Sequence, residues 1–388
     1  MALMVVIYAG GLFTLMIANP NLTTVDLSAL VHNLNQVRSM VCHGARIMGI
    51  VKLDAYGHGL IQISKTLEAN RIDCLGVAFV HEALELRNSG IMAPVVVLCG
   101  IRTREEACET VRQDISTVVY DLEMAEVLDQ EGRRQNKKIN VHIKVDTGMG
   151  RLGVMHTEVI PFIKRIKGLK NLDIVALTSQ FSSADDCDGG FTDMQIRCFK
   201  GVVEGVRSLG FHLPLNSIAN TSGVMGHKDS HFGMVRMGIA LYGGMPRLDF
   251  SNHVHLTPVL GFKGKILQIR DLPDKTPVSY GRKYITKGPA RTAIISAGYA
   301  DGLPRSMSNS GSVLVGGCRR PIIGTVCMNL TICDITGMAG VKEGDEAVFL
   351  GSQGTETITG DDLARSAGTI SYEVFCSIGK RNKKEYIS

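Results

Sequence analysis

The residues best suited to chemistry in this sequence follow short apolar runs of strand-like composition. The first such run, residues 46–52, ends at Lys52 and continues as Leu-Asp-Ala-Tyr56-Gly-His58-Gly59. A lysine in an apolar strand loses solvation, which favours its neutral amine and makes it a candidate for Schiff-base chemistry. The alternative is a lysine whose charged end simply reaches the rim of the fold, and on residue type alone it is the commoner case.

Later apolar runs also contain, or are followed by, polar side chains that could bind a ligand. They are Lys144, Arg151, Asn220, Thr221 and Arg236, followed by the backbone of Gly238 and Ile239. Exposed amides beside a glycine, helped by a threonine hydroxyl, would suit a phosphate. Two segments near the end of the chain add Tyr299 and Met328. A lone tyrosine is usually a core residue, so Tyr299 indicates little by itself.

The elements that must position these residues alternate between strand-like and helix-like patterns. Runs rich in Val and Ile occur at 46–52, 74–80, 95–99, 116–120, 140–146, 173–179, 215–220 and 235–242. Segments with helical spacing lie between them, one starting near Ser28 and others containing Ala83, Phe162 and Met194. Eight strands separated by helices predict a parallel (β/α)8 barrel, with its active site at the carboxyl ends of the strands. An open doubly wound sheet is the alternative that strand count leaves open.

The pattern changes after about Ser251. Apolar runs at 262–269, 293–296, 312–315, 322–326 and 347–350 alternate with Gly/Pro/Asp turns, which predicts a mainly β domain at 252–388 after a barrel domain at 19–251. Residues 1–18 are apolar and uncharged, which fits an export signal, a membrane anchor or a start codon placed too early. A secretory signal should begin with Lys or Arg, so we favour the last interpretation, with Met16 as the start.

Composition limits the possible classes of protein. The 388 residues suffice for two or three domains, and 45% apolar with 20% charged residues is typical of a folded soluble chain. The net charge of +5 is too small to indicate nucleic-acid binding. The ten cysteines contain no Cys-x-x-Cys pair. We therefore expect reduced, buried thiols in a cytoplasmic protein and no metal site.

One motif is misleading. Gly148-Met-Gly150-Arg-Leu-Gly153 matches the dinucleotide fingerprint GxGxxG, and Asp173 lies twenty residues beyond its last glycine. That fingerprint should open the first strand–helix unit, whereas here it follows the fifth strand and contains a charged arginine. We predict that it does not bind a dinucleotide.

Together these segments closely resemble the alanine racemase family. The resemblance runs from about Thr23 to Lys380 and rests on VKLDAYGHG, KVDTGMGR, VRMGIALYG, GYADG and Ser371-Tyr372-Glu373, in the family's order. It implies a pyridoxal 5'-phosphate-dependent isomerase of fold type III, with a (β/α)8 barrel and a C-terminal β domain. It also implies a cytoplasmic homodimer that makes D-alanine for peptidoglycan, without membrane attachment unless residues 1–18 are a true signal or anchor.

Motif by motif, the resemblance implies roles for individual residues. Lys52 would hold the cofactor and remove the α-proton from one face of the substrate, and Tyr299 of the partner subunit would serve the opposite face. Arg236 would face the pyridine nitrogen and leave it unprotonated, since a guanidinium does not readily release a proton. The cofactor-binding residues would be Lys52, Tyr56, Arg151, Asn220, Thr221, Arg236, Gly238, Ile239 and Tyr372. Arg151 and the N–H of Met328 would bind the substrate carboxylate, and Lys144 matches a lysine that is often carbamylated and then orients Arg151.

The sequence departs from the family pattern at four positions. Thr-His-Phe becomes Ser-Gln180-Phe, which replaces a titratable link between the catalytic tyrosine and the arginine by an amide. Cys-Met-Asp becomes Cys-Met-Asn329, which removes a negative charge near the carboxylate site. Ala-Asn-Ser becomes Ala-Asn-Thr221, which keeps the hydroxyl, and VKANAYGHG becomes VKLDAYGHG, which places the charge of Asp54 beside Lys52.

Three hypotheses about activity follow from the resemblance. The first is an alanine racemase, which the bulky phenol of Tyr372 favours by narrowing the pocket. The second is a racemase for serine or for a broader range of amino acids, kept open by Gln180 and Asn329. The third is a non-catalytic carrier of the cofactor, although such carriers lack the β domain that bears Tyr299. A decarboxylase of the same fold type would have an acidic residue at the pyridine nitrogen, where Arg236 stands here.

Overall fold

The computed structural model describes residues 4–8, 11–15, 19–247, 249–250 and 254–388. Near the start of the chain, β1 (Met4–Tyr8) and β2 (Gly11–Leu15) form an antiparallel pair. The rest of the segment 1–18, including Met16, and the domain boundary predicted at 251–252 lie outside the described residues, so both remain predictions. Every described helix falls short of the length and apolarity that crossing a bilayer requires.

Parallel strands form a barrel in the first part of the chain. The next strands are β3 (Leu22–Asp26), β4 (Arg46–Ile50), β5 (Cys74–Val77), β6 (Val95–Val97), β7 (Ser116–Val119), β8 (Ile139–Asp146), β9 (Val154–Met155), β10 (Leu172–Thr178) and β11 (Met234–Met237). Strands β10, β8, β7, β6, β5, β4 and β11 are neighbours in that order, all parallel. The predicted barrel is confirmed, and the open doubly wound sheet is excluded.

The barrel closes through residues 216–219, within the predicted seventh strand. Ser217 forms an isolated parallel bridge with Thr178, and its N–H donates to Leu177 O across 2.9 Å. On the other side, Arg236 N donates to Ala219 O across 2.9 Å. The run predicted at 215–220 therefore joins β10 to β11 as a short bridged segment and not as a full strand.

Helical segments alternate with the barrel strands, and the longer ones cover the outside of the barrel. They are α1 (Leu27–Met40), α2 (Lys52–Tyr56), α3 (Leu60–Ala69), α4 (Val80–Asn88), α5 (Arg104–Arg112), α6 (Leu122–Gln135), α7 (Val159–Ile166), α8 (Gly190–Ser208) and α9 (Thr221–Gly226). The short segment α2 follows β4 and has a left-handed backbone at residues 53–56. Helix α1 begins where the Asp26 carboxylate accepts the N–H of Ala29, and it buries Leu30, Leu34 and Val37 at helical spacing. The helices predicted near Ser28, Ala83, Phe162 and Met194 are all present.

The second domain is mainly β, as predicted. It contains β12 (Leu260–Leu272), β13 (Pro277–Val278), β14 (Tyr284–Ile285), β15 (Ala290–Ile295), β16 (Ser312–Val315), β17 (Cys318–Pro321), β18 (Thr331–Asp334), β19 (Glu346–Gln353), β20 (Glu356–Ile358), α10 (Gly360–Ala367), α11 (Ser371–Arg381) and β21 (Lys384–Ile387). Its main sheet runs β17-β16-β19-β12-β15-β18. The strand predicted at 322–326 is wrong, because only Ile322 pairs there, through a single bridge to Cys333.

The main sheet of the second domain also includes β3, which precedes the barrel, and the last strand, β21. Strand β3 pairs antiparallel with β12, and β21 pairs parallel with β3. The chain therefore contributes a strand to the second domain before it enters the barrel at α1. This pairing brings the last residues close to the first strand–helix unit of the barrel.

The cysteines only partly match the expectation of buried thiols. All ten, each within the described part of the chain, are unpaired. Cys74 and Cys333 are buried, and burial raises the pKa of each thiol to about 12. Cys42, Cys187 and Cys318 are exposed, so the expectation of burial is wrong for these three.

Candidate active site

Nine residues predicted from sequence line one cleft at the carboxyl ends of the barrel strands. The cleft has a volume of about 210 Å³. Its predicted lining residues are Lys52, Tyr56, Arg151, Asn220, Thr221, Arg236, Gly238, Ile239 and Tyr372, and the others are Ile50, Leu98 and Gln180. Residues from β4, β11, the loops between barrel elements and α11 therefore meet at a single site.

Lys52 stands at the start of an unusual turn. It follows β4 by two residues and is exposed, so the burial from which a neutral amine was inferred is absent here. The next four residues, 53–56, all have φ between 52° and 55°, and Gly57 continues at 83°. Left-handed conformation costs a non-glycine residue about 1–2 kcal/mol, so contacts elsewhere must hold this turn. Both ends of the turn, Lys52 and Tyr56, line the cleft.

A buried carboxylate that the sequence analysis missed holds one end of this turn. Glu82 of α4 accepts a hydrogen bond from the N–H of Leu53 through Oε1. Its Oε2 accepts the N–H groups of Ala78 and Phe79, at 2.8 and 3.1 Å. The position of Glu82 near the start of a helix could have suggested its capping role. The link to Leu53 follows only from the fold.

Hydroxyl and amide groups also line the cleft. Tyr56 is buried, which raises its pKa far above that of a free phenol, and its ring lies 4.9 Å from that of Tyr242. Thr221 Oγ1 accepts the N–H of Gly238 across 3.2 Å. A Cβ at Gly238 would lie 2.6 Å from the Tyr56 hydroxyl, so only glycine leaves this phenol in place. Neutral donors around a glycine backbone suit a phosphate group.

Arg236 is buried and surrounded by neutral acceptors. Its Nη1 donates to Ser217 Oγ at 2.7 Å, and its Nη2 donates to Ser179 O at 2.7 Å, Ile218 O at 3.0 Å and Gln180 Oε1 at 2.9 Å. Burial, followed by the charge of Arg151, lowers the pKa of Arg236 to about 10, so the guanidinium stays charged at neutral pH. Gln180 thus contacts the arginine as a hydrogen-bond acceptor.

Lys144 lies buried on β8 among positive charges. Burial and then the charges of Arg236 and Arg151 lower its pKa to about 7, which leaves a large share of neutral amine at neutral pH. His142, two residues earlier, is also buried, and burial lowers its pKa to about 4. A neutral lysine amine is the form that reacts with carbon dioxide. The environment of Lys144 is therefore compatible with the predicted carbamylation.

The GxGxxG segment forms a loop organised by Asp146. The Asp146 carboxylate accepts the N–H groups of Gly148 and Met149 at 2.8 Å and that of Gly150 at 2.9 Å. The chain then enters β9, and α7 begins only at Val159. A dinucleotide site needs a helix directly after the glycines, and here a short strand follows them instead.

Tyr299 and Met328 lie together in the second domain, outside the described lining of the cleft. Tyr299 N donates to Cys327 O at 3.0 Å, and a Cβ at Gly298 would lie 2.4 Å from Met328 O. Tyr299 is half-buried, and Met328 is 56% exposed. Within one chain, the predicted site residues therefore form a barrel group and a second-domain group.

Comparison with known proteins finds relatives along most of the chain. The model of the alanine racemase N-terminal domain matches residues 25–246, and that of the C-terminal domain matches residues 259–386. An alanine racemase of Syntrophobacter fumaroxidans is 39% identical over 362 residues, covering 93% of this chain and 96% of that protein. The structure of alanine racemase from D-cycloserine-producing Streptomyces lavendulae has a TM-score of 0.89 at 28% identity, covering 96% of this chain and 98% of that one.

A second structure carries the cofactor that the sequence implies. Alanine racemase from Bartonella henselae with covalently bound pyridoxal phosphate has a TM-score of 0.84 at 29% identity, covering 95% of this chain and 100% of that one. The two-domain fold and these matches define an isomerase of the amino-acid racemase class. Within that class, the chain belongs to the alanine racemase family.

Proposed function

We propose that this enzyme interconverts L-alanine and D-alanine with pyridoxal 5'-phosphate held by Lys52. The observation that carries the proposal is the convergence of the nine predicted residues on one cleft. A lysine, a group of hydroxyl and amide donors, and a buried arginine all line that cleft. Family membership supports the choice of alanine as substrate.

The residues present fit the cofactor. Tyr56, Thr221 and Tyr372 would donate hydroxyls to the phosphate, together with the backbone N–H of Ile239, while the N–H of Gly238 holds the Thr221 oxygen in place. Asn220 caps α9 by accepting the N–H of Gly223 and so holds Thr221 in place. When bound, the cofactor withdraws electron density from the substrate's α-carbon and makes the α-proton acidic.

Racemisation needs proton transfer on both faces of the α-carbon. Lys52 would remove or return the proton on one face through its amine. Tyr299 of the partner subunit would do so on the other face through its phenol, because its own chain keeps it outside the cleft. This assignment requires a two-fold dimer in which each second domain covers the other subunit's barrel.

Positive groups would fix the cofactor and the substrate. Arg236 would face the pyridine nitrogen and leave it unprotonated, which weakens the electron sink and limits side reactions. Arg151 and the N–H of Met328 would bind the substrate carboxylate. A carbamylated Lys144 would carry the negative charge that pairs with Arg151, beside which it already lies. We place this activity in the cytoplasm, where it would supply D-alanine for peptidoglycan.

The test uses purified protein with pyridoxal phosphate in heavy water. L-alanine, L-serine, L-lysine and L-arginine are offered separately, and the D-enantiomer and α-deuterium are quantified. We expect D-alanine to form much faster than the other products. D-serine or D-lysine at comparable rates would replace this proposal by the broader racemase, and no exchange with any substrate would indicate a carrier.

The Lys52→Ala variant tests the role of the lysine. We expect the visible absorption band of the lysine-linked cofactor to disappear, together with racemisation. An unchanged band would contradict the assignment of Lys52 as the residue that holds the cofactor.

A further inference from the structure

The charge of Asp54 beside Lys52 has a partner at the far end of the chain. Asp54 Oδ2 accepts a hydrogen bond from Lys384 Nζ across 2.9 Å, and Asp54 Oδ1 accepts the N–H of Leu60 across 2.7 Å. The same Lys384 amine donates to Gly379 O across 2.9 Å. One carboxylate therefore joins the left-handed turn to the start of α3 and to the first residue of β21.

The last strand is fitted closely against this turn. Residues Lys384–Ile387 pair with β3, which fixes their position next to the barrel. A Cβ at Gly59 would lie 1.9 Å from the Tyr386 hydroxyl, so Tyr386 of β21 occupies the space that any side chain at Gly59 would need. Lys384 is only 15% exposed, whereas Asp54 is 44% exposed.

Helix α11 completes the support. A Cβ at Gly379 would lie 2.0 Å from Gly57 O, and a Cβ at Gly57 would lie 2.6 Å from Phe375 O. The backbones of the helix and the turn are thus in direct contact. Tyr372 of the same helix lines the cleft. The turn therefore packs against both α11 and β21. The Asp54–Lys384 ion pair links the turn to β21.

We propose that the Asp54–Lys384 ion pair is a positioning device that holds the left-handed turn and thereby aims Lys52 and Tyr56 at the cofactor. The inference rests on the proposed function, since it assumes that both residues bind the cofactor. An asparagine, the residue expected at position 54 from the family pattern, could still accept the N–H of Leu60. It could not neutralise Lys384, so the aspartate and the lysine complement each other in this chain.

The test is a double-mutant cycle on the cofactor-loaded enzyme. Asp54→Asn, Lys384→Met and the double variant are compared with wild type by the rate at which diluted holoenzyme releases pyridoxal phosphate. We expect each single change to accelerate release about threefold to tenfold. The acceleration in the double variant should be much smaller than the product of the two single accelerations. Lys384→Arg should restore near-wild-type release, and Lys383→Met, at the exposed neighbouring lysine, should have no effect.

Four outcomes would contradict the proposal, and one of them separates positioning from general stability. Release at the wild-type rate in both single variants, or fully multiplicative effects in the double variant, would overturn the proposal. A lowered urea midpoint in Lys384→Met with unchanged release would also overturn it, because the pair would then stabilise only the fold. A wild-type protein that binds no pyridoxal phosphate would overturn the proposed function and, with it, this inference.

Discussion

Gln180 Oε1 accepts a hydrogen bond from Arg236 Nη2 across 2.9 Å, so a neutral amide contacts the buried guanidinium. The backbone of Gln180 is held from α8, because Gln195 Nε2 donates to the backbone carbonyl O of Gln180 across 3.0 Å. The same Nη2 also donates to two backbone carbonyls, Ser179 O and Ile218 O. The arginine therefore keeps its place without any titratable neighbour at position 180.

We predict that Gln180→Leu leaves Arg236 in position. Nη2 has two protons and retains two carbonyl acceptors, so the loss of one amide oxygen should change cofactor release and kcat by less than about threefold. Ser217→Ala removes the named acceptor of Nη1 and should cost more, about fivefold. Steady-state racemisation and cofactor release measure both variants. A loss in Gln180→Leu greater than that in Ser217→Ala would mean that the amide acts beyond supporting Arg236.

Tyr299→Phe should separate catalysis from cofactor binding. Loss of the phenol proton removes one of the two bases, so kcat for racemisation should fall about a hundredfold or more. The ring is kept, and Tyr299 lies outside the described lining of its own chain's cleft, so cofactor release and the urea midpoint should stay at wild-type values. Parallel loss of activity and cofactor would instead assign Tyr299 a structural role.

Local patterns predicted most of the elements, and the family motifs predicted the residues that line the cleft, because most of these motifs lie within or just after the strand that positions them. Lys52 and Arg236 lie within a few residues of β4 and β11, so a short segment was enough to place them. Contacts between distant segments could not be predicted in this way. Glu82 meets Leu53 across 29 positions, and Lys384 meets Asp54 across 330.

The strand predictions failed where only a single bridge forms, and where a strand is too polar to be recognised from its sequence. Residues 215–220 look like a strand, yet the barrel needs only a bridge at Ser217 to close. Conversely, β17 has the sequence Cys-Arg-Arg-Pro and is not apolar. It forms because its neighbour β16 offers a complete antiparallel partner. Tertiary pairing outweighs local composition at such positions.

Lys144 should make the stability of the fold depend on pH. Its pKa is about 7 in the folded protein and about 10.5 in the unfolded chain, so between these values only the unfolded state binds the proton. The contribution of Lys144 to stability should therefore be most favourable above about pH 10 and fall as the pH approaches 7, by at most about 1.4 kcal/mol per pH unit.

Urea unfolding of wild type and Lys144→Met at pH 7 and pH 9.5, in buffer free of carbon dioxide, measures this contribution. The wild type should gain stability relative to the variant as the pH rises. Added bicarbonate should reduce the gain and add the mass of one carbon dioxide to the native protein. An identical pH dependence in both proteins would contradict the lowered pKa.

Glu82→Gln should lower the free energy of unfolding and speed the release of the cofactor. An amide offers one acceptor oxygen in place of two, so at least one of the N–H groups of Leu53, Ala78 and Phe79 would face an NH2 group. We expect a loss of about 2–3 kcal/mol in the free energy of unfolding and faster cofactor release. Glu85→Gln, on the exposed face of the same helix, is the matched control and should change neither quantity. If Glu82→Gln lowered stability but left cofactor release unchanged, Glu82 would cap α4 without positioning the Lys52 turn.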